Sequence, residues 1–163
     1  MTRNLKSIEG LFDENNQNVK YVTADASNRS DLIKAMAGVD IAFYLIHSMD
    51  GSSKDWKKFA ERDRIAARNF AEAATECNVK RIIYLGGLVP DKNEQSKKQE
   101  ELSEHMKSRI EVGEILKTSS AKVTIFRAAI ILGQGGGSFQ MLQYLVERLP
   151  LMITPRWASS MKQ

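Results

Sequence analysis

Short runs of β-branched and aromatic residues alternate along this chain with longer stretches whose apolar residues recur every three or four positions. The two periods belong to different backbones, strand and helix, and their alternation restricts the chain to few architectures. "VKYVTAD" (19–25), "VDIAFYLI" (39–46), "VKRIIYL" (79–85) and "AKVTIFRAAIIL" (121–132, at least to Phe126) read as strands. "VDIAFYLI" is almost wholly apolar, as a parallel strand buried on both faces requires. Between them, "RSDLIKAMAG" (29–38) reads as a helix, with Ser27 or Asn28 as its cap and Gly38 at its end. Residues 54–77 read as the longest helix, with Trp56, Phe59, Ala66, Phe70, Ala73 and Cys77 on one stripe and Asn78 as a left-handed stop. A helix over 103–117 and a further one, "FQMLQYLVERL", with Ser138 as its cap, complete the pattern. Strand and helix in strict alternation predict an α/β fold: a doubly wound parallel sheet with helices on both faces, built as a single domain over residues 1–163.

The composition removes several function classes. Of 163 residues, 42% are hydrophobic and 27% charged, so there is material for a core and no sign of disorder. The net charge of +4 is spread through 54–72 and 92–117 among Glu and Asp, as on solvated helix faces. A nucleic-acid reader concentrates its charge on one face, so nucleic acid is not an expected partner. With Cys77 the single cysteine, there is no internal disulfide and no cysteine metal cluster, which fits a reducing cytoplasm. "MTRNLKSIEG" lacks the apolar segment of a signal peptide. The longest apolar runs fall far short of the roughly 18 residues that cross a bilayer, so no membrane span is expected.

In open parallel sheets, ligands sit beyond the C-terminal ends of the strands. That rule selects Ala24–Asp25, His47–Ser48, Gly86–Gly87 and Arg127–Ala129.

The selected segments also carry a family resemblance. "ADASNRSDLIKAMAGVDIAFYLIH", "NFAEAATECNVKRIIYLGGL" and "RAAIILGQG", in this order, resemble the atypical short-chain dehydrogenase/reductases, the NmrA-like NAD(P)-binding proteins. The likeness runs over essentially the whole chain, and implies a Rossmann-like fold and NADP or NAD as cofactor. Complete relatives begin with a strand and a G-x-x-G-x-x-G turn whose amides hold the pyrophosphate. The 163 residues contain no such turn. "TRN" resembles the end of the second strand, and "TPRWASSMKQ" a point where relatives continue. The expectation is therefore a partial domain that lacks its first βα unit and exposes sheet edges, which favours a homo-oligomer.

Residue by residue, the resemblance places a basic group for the NADP 2′-phosphate at Arg3 and an adenine-contacting acid at Asp25. His47 and Ser48 fall where the family passes the ribose and pyrophosphate, and Arg127 and Ala128 begin the segment after the sixth strand. Gly86 and Gly87 stand where the family usually has a serine. They either admit a cofactor ring close to the backbone or form a tight turn. In "EHMKSR", His105 takes the place of the catalytic Tyr and Arg109 that of its Lys. Histidine exchanges a proton near neutrality. Arginine anchors a phosphate or ribose but is a poor acid. Both residues equally suit a solvated helix face. The family's N-x-x-G-T-x-N-x-x-E-A-A aligns with "DRIAARNFAEAA", which puts Asp63 at a structurally important Asn. Asp63 there either bonds a backbone group near the site, pairs with Arg109 or another cation, or is a plain exposed acid.

"GQGGGS" lacks the Lys and Ser/Thr of a P-loop and reads as a loop over the site. No metal-ligand spacing is present. The functions implied are an NAD(P)-binding reductase-like domain with degenerate catalytic residues, handling a small carbonyl or quinone-like substrate. The alternatives are a non-enzymatic nucleotide or redox sensor or assembly protein, and an inactive structural fragment.

Overall fold

The computed structural model describes residues 1–4, 6, 17–46, 56–88, 103–128, 133 and 137–149. Within them the elements run α1 (Arg29–Met36), β1 (Ile41–Tyr44), α2 (Trp56–Glu76), β2 (Arg81–Gly87), α3 (Glu104–Leu116), β3 (Lys122–Ala128) and α4 (Gly137–Arg148). The chain divides into two compact units, Met1–Arg127 and Ala128–Gln163.

In the first unit the strands form one sheet in the order β1-β2-β3. β1 and β2 are parallel, in a register that sets Ile41 beside Arg81 and Tyr44 beside Tyr84. β3 runs the same way. Its start is bonded to the start of β2 (Lys122 N–H to the Lys80 carbonyl, 3.0 Å), and a Cβ on Gly86 at the far end of β2 would lie 3.7 Å from the Phe126 carbonyl. Each crossover between parallel neighbours carries a helix, as parallel pairing demands.

Local signals set the element ends. Asn28 caps α1, its side chain accepting from Ser30 N–H, so of the two cap candidates Asn28 serves. Gly38 follows the helix at φ +74°, and Asn78 ends α2's turn at φ 55°, both in the left-handed region. Ser103 caps α3 through the Met106 N–H.

The core lies on one face of the sheet. Ala42, Tyr44, Ile82 and Tyr84 pack there against Leu32 and Met36 of α1, Ala67, Phe70, Ala73 and Ala74 of α2, and Val112 and Leu116 of α3. Tyr44 stands edge-on to Phe70 (4.9 Å between centroids) and to Tyr84 (5.7 Å). The predicted α2 stripe holds at Phe59, Ala66, Phe70 and Ala73, all buried, with Cys77 half-buried. The side chain of Trp56 lies outside the description. The other face of β1 presents Ile41, Phe43 and Leu45 to solvent, with Phe43 62% exposed. The expectation of a strand buried on both faces therefore holds for one face of β1 among the described residues. All three described helices of this unit contribute to the single core.

Three further expectations change. The segment 19–25 is not a strand but a single parallel bridge, Thr2 to Thr23, held by Thr2 N–H on the Val22 carbonyl and Ala24 N–H on the Thr2 carbonyl. A ladder needs a neighbour of matching length, and the described residues 1–4 supply one bridge. Gly86 and Gly87 are not a turn; they are the last two residues of β2. In the second unit, α4 begins at Gly137, so Ser138 sits inside the helix instead of capping it. α4 exposes Met141, Leu142, Tyr144, Leu145 and Val146, and the Arg148 guanidinium lies over the Tyr144 ring at 4.5 Å.

Candidate functional site

The three strands of the sheet run parallel and end on one side of it, and a separate parallel bridge joins two earlier segments. At the Thr2–Thr23 bridge, Arg3 and Asp25 follow directly on two parallel segments. The bonds from Ser27 N–H and Ser27 Oγ to Asp25 Oδ1, both 2.8 Å, hold its pKa below the usual carboxylate value, and the Arg3 charge acts in the same direction as a smaller influence. A cation and an anion at the ends of two neighbouring segments suit a phosphate and the hydroxyls or ring nitrogens of a nucleoside.

The loop after Asp25 is fastened from two helices. Asp25 N–H donates to Asp31 Oδ2 of α1 at 3.3 Å. Asn69 of α2 donates through Nδ2 to the carbonyls of Ala26 (3.1 Å) and Ser27 (2.9 Å). Asn69 was not among the residues that the strand-end rule selects. The signal was the second Asn of the N-x-x-G-T-x-N pattern, and helix periodicity gave it no distinction from any other half-buried polar residue.

At the end of β2, a Cβ on Gly87 would lie 3.2 Å from Met106 Sδ. The first turn of α3 therefore stands against the strand end, with His105 one residue away and exposed. A Cβ on Gly86 would meet Tyr84 Cε1 at 3.2 Å and Ile125 Cγ2 at 3.4 Å, so this strand pair has no room for a side chain at that place. Arg109 is turned to the strand: its guanidinium carbon is 5.9 Å from the Tyr84 ring centroid, and its carbonyl accepts from Tyr84 Oη at 3.0 Å. Arg127 and Ala128 close β3, Arg127 exposed. His47 and Ser48 lie outside the described residues.

Behind this rim, Asp63 is buried in α2 and 7% exposed, so it is not the plain surface acid. Its Oδ2 accepts from Ser108 Oγ at 3.3 Å. The Tyr44 hydroxyl is buried and has no hydrogen-bond partner among the described residues. Burial above all, and then the charge of Asp63, push the Tyr44 pKa far up; burial does the same for Tyr84. Among the described residues no group of three His, Cys, Asp or Glu could hold a metal ion, and no helix is long and apolar enough to cross a membrane.

The profile of the NAD(P)H-binding family matches residues 1–147. The chain belongs to that family. Its fold is the Rossmann-like α/β one that the family resemblance implies. Solved structures agree. The Citrobacter sp. triphenylmethane reductase complexed with NADP(H) superposes with a TM-score of 0.61 at 20% identity, over 90% of this chain and 44% of its own. A nucleoside-diphosphate-sugar epimerase from Staphylococcus aureus gives 0.59 at 21% identity, over 89% of this chain and 43% of its own. The Bordetella bronchiseptica enzyme WbmH in complex with NAD+ gives 0.62 at 16% identity, over 82% and 48%. At such identities the likeness is one of fold, and the chain spans less than half the length of these three solved relatives. No curated protein matches it.

Proposed function

We propose that this chain forms part of an NAD(P)-binding site of a reductase-like protein, with the adenosine end at Arg3 and Asp25 and the nicotinamide end along β2 and the first turn of α3. The observation that carries it is the parallel Thr2–Thr23 bridge, with Arg3 the residue after one partner and Asp25 two residues after the other. Arg3 supplies the planar, two-pronged donor that suits a 2′-phosphate, which favours NADP(H) over NAD(H). Asp25 accepts from the adenosine. The nicotinamide ring would lie past the end of β2, whose Gly86 and Gly87 let Tyr84, Ile125 and Met106 pack closely there. A bound nicotinamide would supply hydride for a small carbonyl or quinone-like substrate.

Proton transfer is where this chain departs from an ordinary dehydrogenase. The Tyr–Lys pair is replaced by His105 and Arg109, and Arg109 is engaged with Tyr84. We read Arg109 as a ribose anchor and the catalytic helix as degenerate, which makes nucleotide binding the primary function. A non-enzymatic nucleotide or redox sensor in the cytoplasm would use the same site. The uncovered Ile41, Phe43 and Leu45 support a homo-oligomer.

A thermal-shift titration with NADPH and NADH tests this. At a hundred times its dissociation constant, a ligand stabilises the fold by about 2.7 kcal/mol. The expected result is a shift with NADPH that exceeds the one with NADH and shrinks in Arg3→Ala. No shift with either nucleotide overturns the proposal.

A further inference from the structure

The loop from Asp25 to Asn28 is shaped by bonds within itself and with the helix that follows it. Asp25 Oδ1 accepts from Ser27 N–H and Oγ, the Asn28 N–H returns to the Asp25 carbonyl at 2.9 Å, and Asn28 Oδ1 accepts from Ser30 N–H at 3.0 Å. Such bonds set the shape of a turn, and the Thr2–Thr23 bridge and the Asp31 side chain place its start. Asn69 places its middle. It is 42 residues away from Ser27 and 43 from Ala26, and it holds both carbonyls with one amide nitrogen. Carbonyl oxygens only accept, so the amide must present its NH2 group, and both of its hydrogens are used. No other polar side chain of similar size offers two hydrogens from one atom on so short a stem. Asp presents none when ionised, and Ser presents one.

We infer that Asn69 is a positioning residue for the adenosine end of the nucleotide site, fixing from α2 the loop that carries Asp25. The inference rests on the proposed nucleotide reading and names a residue that does not itself touch the ligand. Its mechanism is mechanical: with both tethers cut, the Thr2–Thr23 bridge and the Asp25 N–H bond to Asp31 still hold the start of the loop, but Ala26 and Ser27 lose their place against α2, and with them the two Ser27 donors that orient the Asp25 carboxylate. Helix α2 also carries Asp63, six residues earlier, about 9 Å along the axis. Through Ser108, Asp63 holds α3. One helix thus ties down both ends of the site.

The test uses the full 163-residue chain, wild type, Asn69→Asp and Asn69→Ala. Asn69→Asp keeps the volume and removes both donors, so it remains informative where Asn69→Ala opens a void and fails to fold. NADPH affinity is measured calorimetrically well below the melting temperature of each variant, together with hydrogen exchange of the amides at 26–28 and in α3. The expected result is NADPH binding weakened at least tenfold, with faster exchange at 26–28 and unchanged exchange in α3. A merely structural Asn69 would lower the melting temperature but leave the affinity of the folded protein as it was, and that outcome overturns the inference. So does unchanged exchange at 26–28. If wild type itself binds no NADPH, the nucleotide reading falls and takes this role with it, a result distinct from wild-type binding that the variants retain.

Discussion

Ser108 Oγ donates to Asp63 Oδ2 across the α2–α3 interface at 3.3 Å, and both residues are buried. A carboxylate removed from water depends on its donors. Ser108→Ala should therefore cost about 1–3 kcal/mol, the usual penalty for stripping a partner from a buried polar group. Asp63→Ala should cost a similar amount, and the double variant less than the sum of the two, because each single change already breaks the shared bond. Urea unfolding of the four proteins measures this. Strict additivity would mean that the two side chains do not stabilise the fold through each other.

Tyr44 poses the opposite case. Its hydroxyl is buried without a partner among the described residues, while its ring packs edge-on against Phe70 and Tyr84. Tyr44→Phe keeps the rings and removes an unpaired polar atom. We expect no loss of stability, or a gain of up to about 1 kcal/mol. A loss above that would show that the hydroxyl bonds an internal water molecule.

The same two tyrosines fix the alkaline limit of the fold. Burial raises both pKa values, so the folded state disfavours tyrosinate. The sign follows from proton linkage: the stabilisation is complete below the unfolded-state value of about 10, and is lost as pH rises through the higher folded-state values. Stability should fall steadily above about pH 10. A spectrophotometric titration should show Tyr44 and Tyr84 ionising together with unfolding. Their double Phe variant should remove that late ionisation, and an unchanged titration curve would refute the assignment.

Gly38 isolates a purely backbone effect. Its φ is +74°, and a Cβ there would meet nothing within 4 Å. Gly38→Ala should cost about 1–2 kcal/mol through conformation alone, and Gly38→Asn less, since Asn tolerates the left-handed region, as Asn78 does at φ 55°. Equal melting temperatures for Gly38→Ala and wild type would contradict this.

What was legible in the sequence was local. The Asn28 cap, the stops at Gly38 and Asn78, and the apolar stripe of α2 are all set by residues within a turn or two of one another, and periodicity reports them directly. What was hidden was non-local. The segment 19–25 has strand composition, but a strand exists only with a ladder beside it, and Thr2 provides one bridge. That Asp63 is buried and meets Ser108, 45 residues on, depends on how α2 packs against α3, which no spacing within either helix encodes. Asn69 looked like any polar residue on a helix until the position of the Ala26 and Ser27 carbonyls was known. Asp25 stands out by the strand-end rule and by resemblance, Arg3 by resemblance alone, and the bridge that joins their two segments, Thr2 to Thr23, spans 21 residues of sequence.

Arg109 separates the two roles that its position allows. Its guanidinium lies over the Tyr84 ring, and Tyr84 Oη bonds its carbonyl, so the residue is already part of the packing between α3 and β2. Truncating it removes a cation–π contact of about 0.5–1 kcal/mol. If it also anchors the ribose, Arg109→Ala should weaken NADPH binding about tenfold, a further 1.4 kcal/mol. Arg109→Lys should recover little of that, since the ammonium is not planar and offers no paired donors. His105→Ala, at an exposed position, should change stability by less than about 0.5 kcal/mol. Calorimetric NADPH titrations of the three variants decide between the roles. A lower melting temperature in Arg109→Ala with unaltered NADPH affinity would assign Arg109 to packing against Tyr84 and remove it from the nucleotide site.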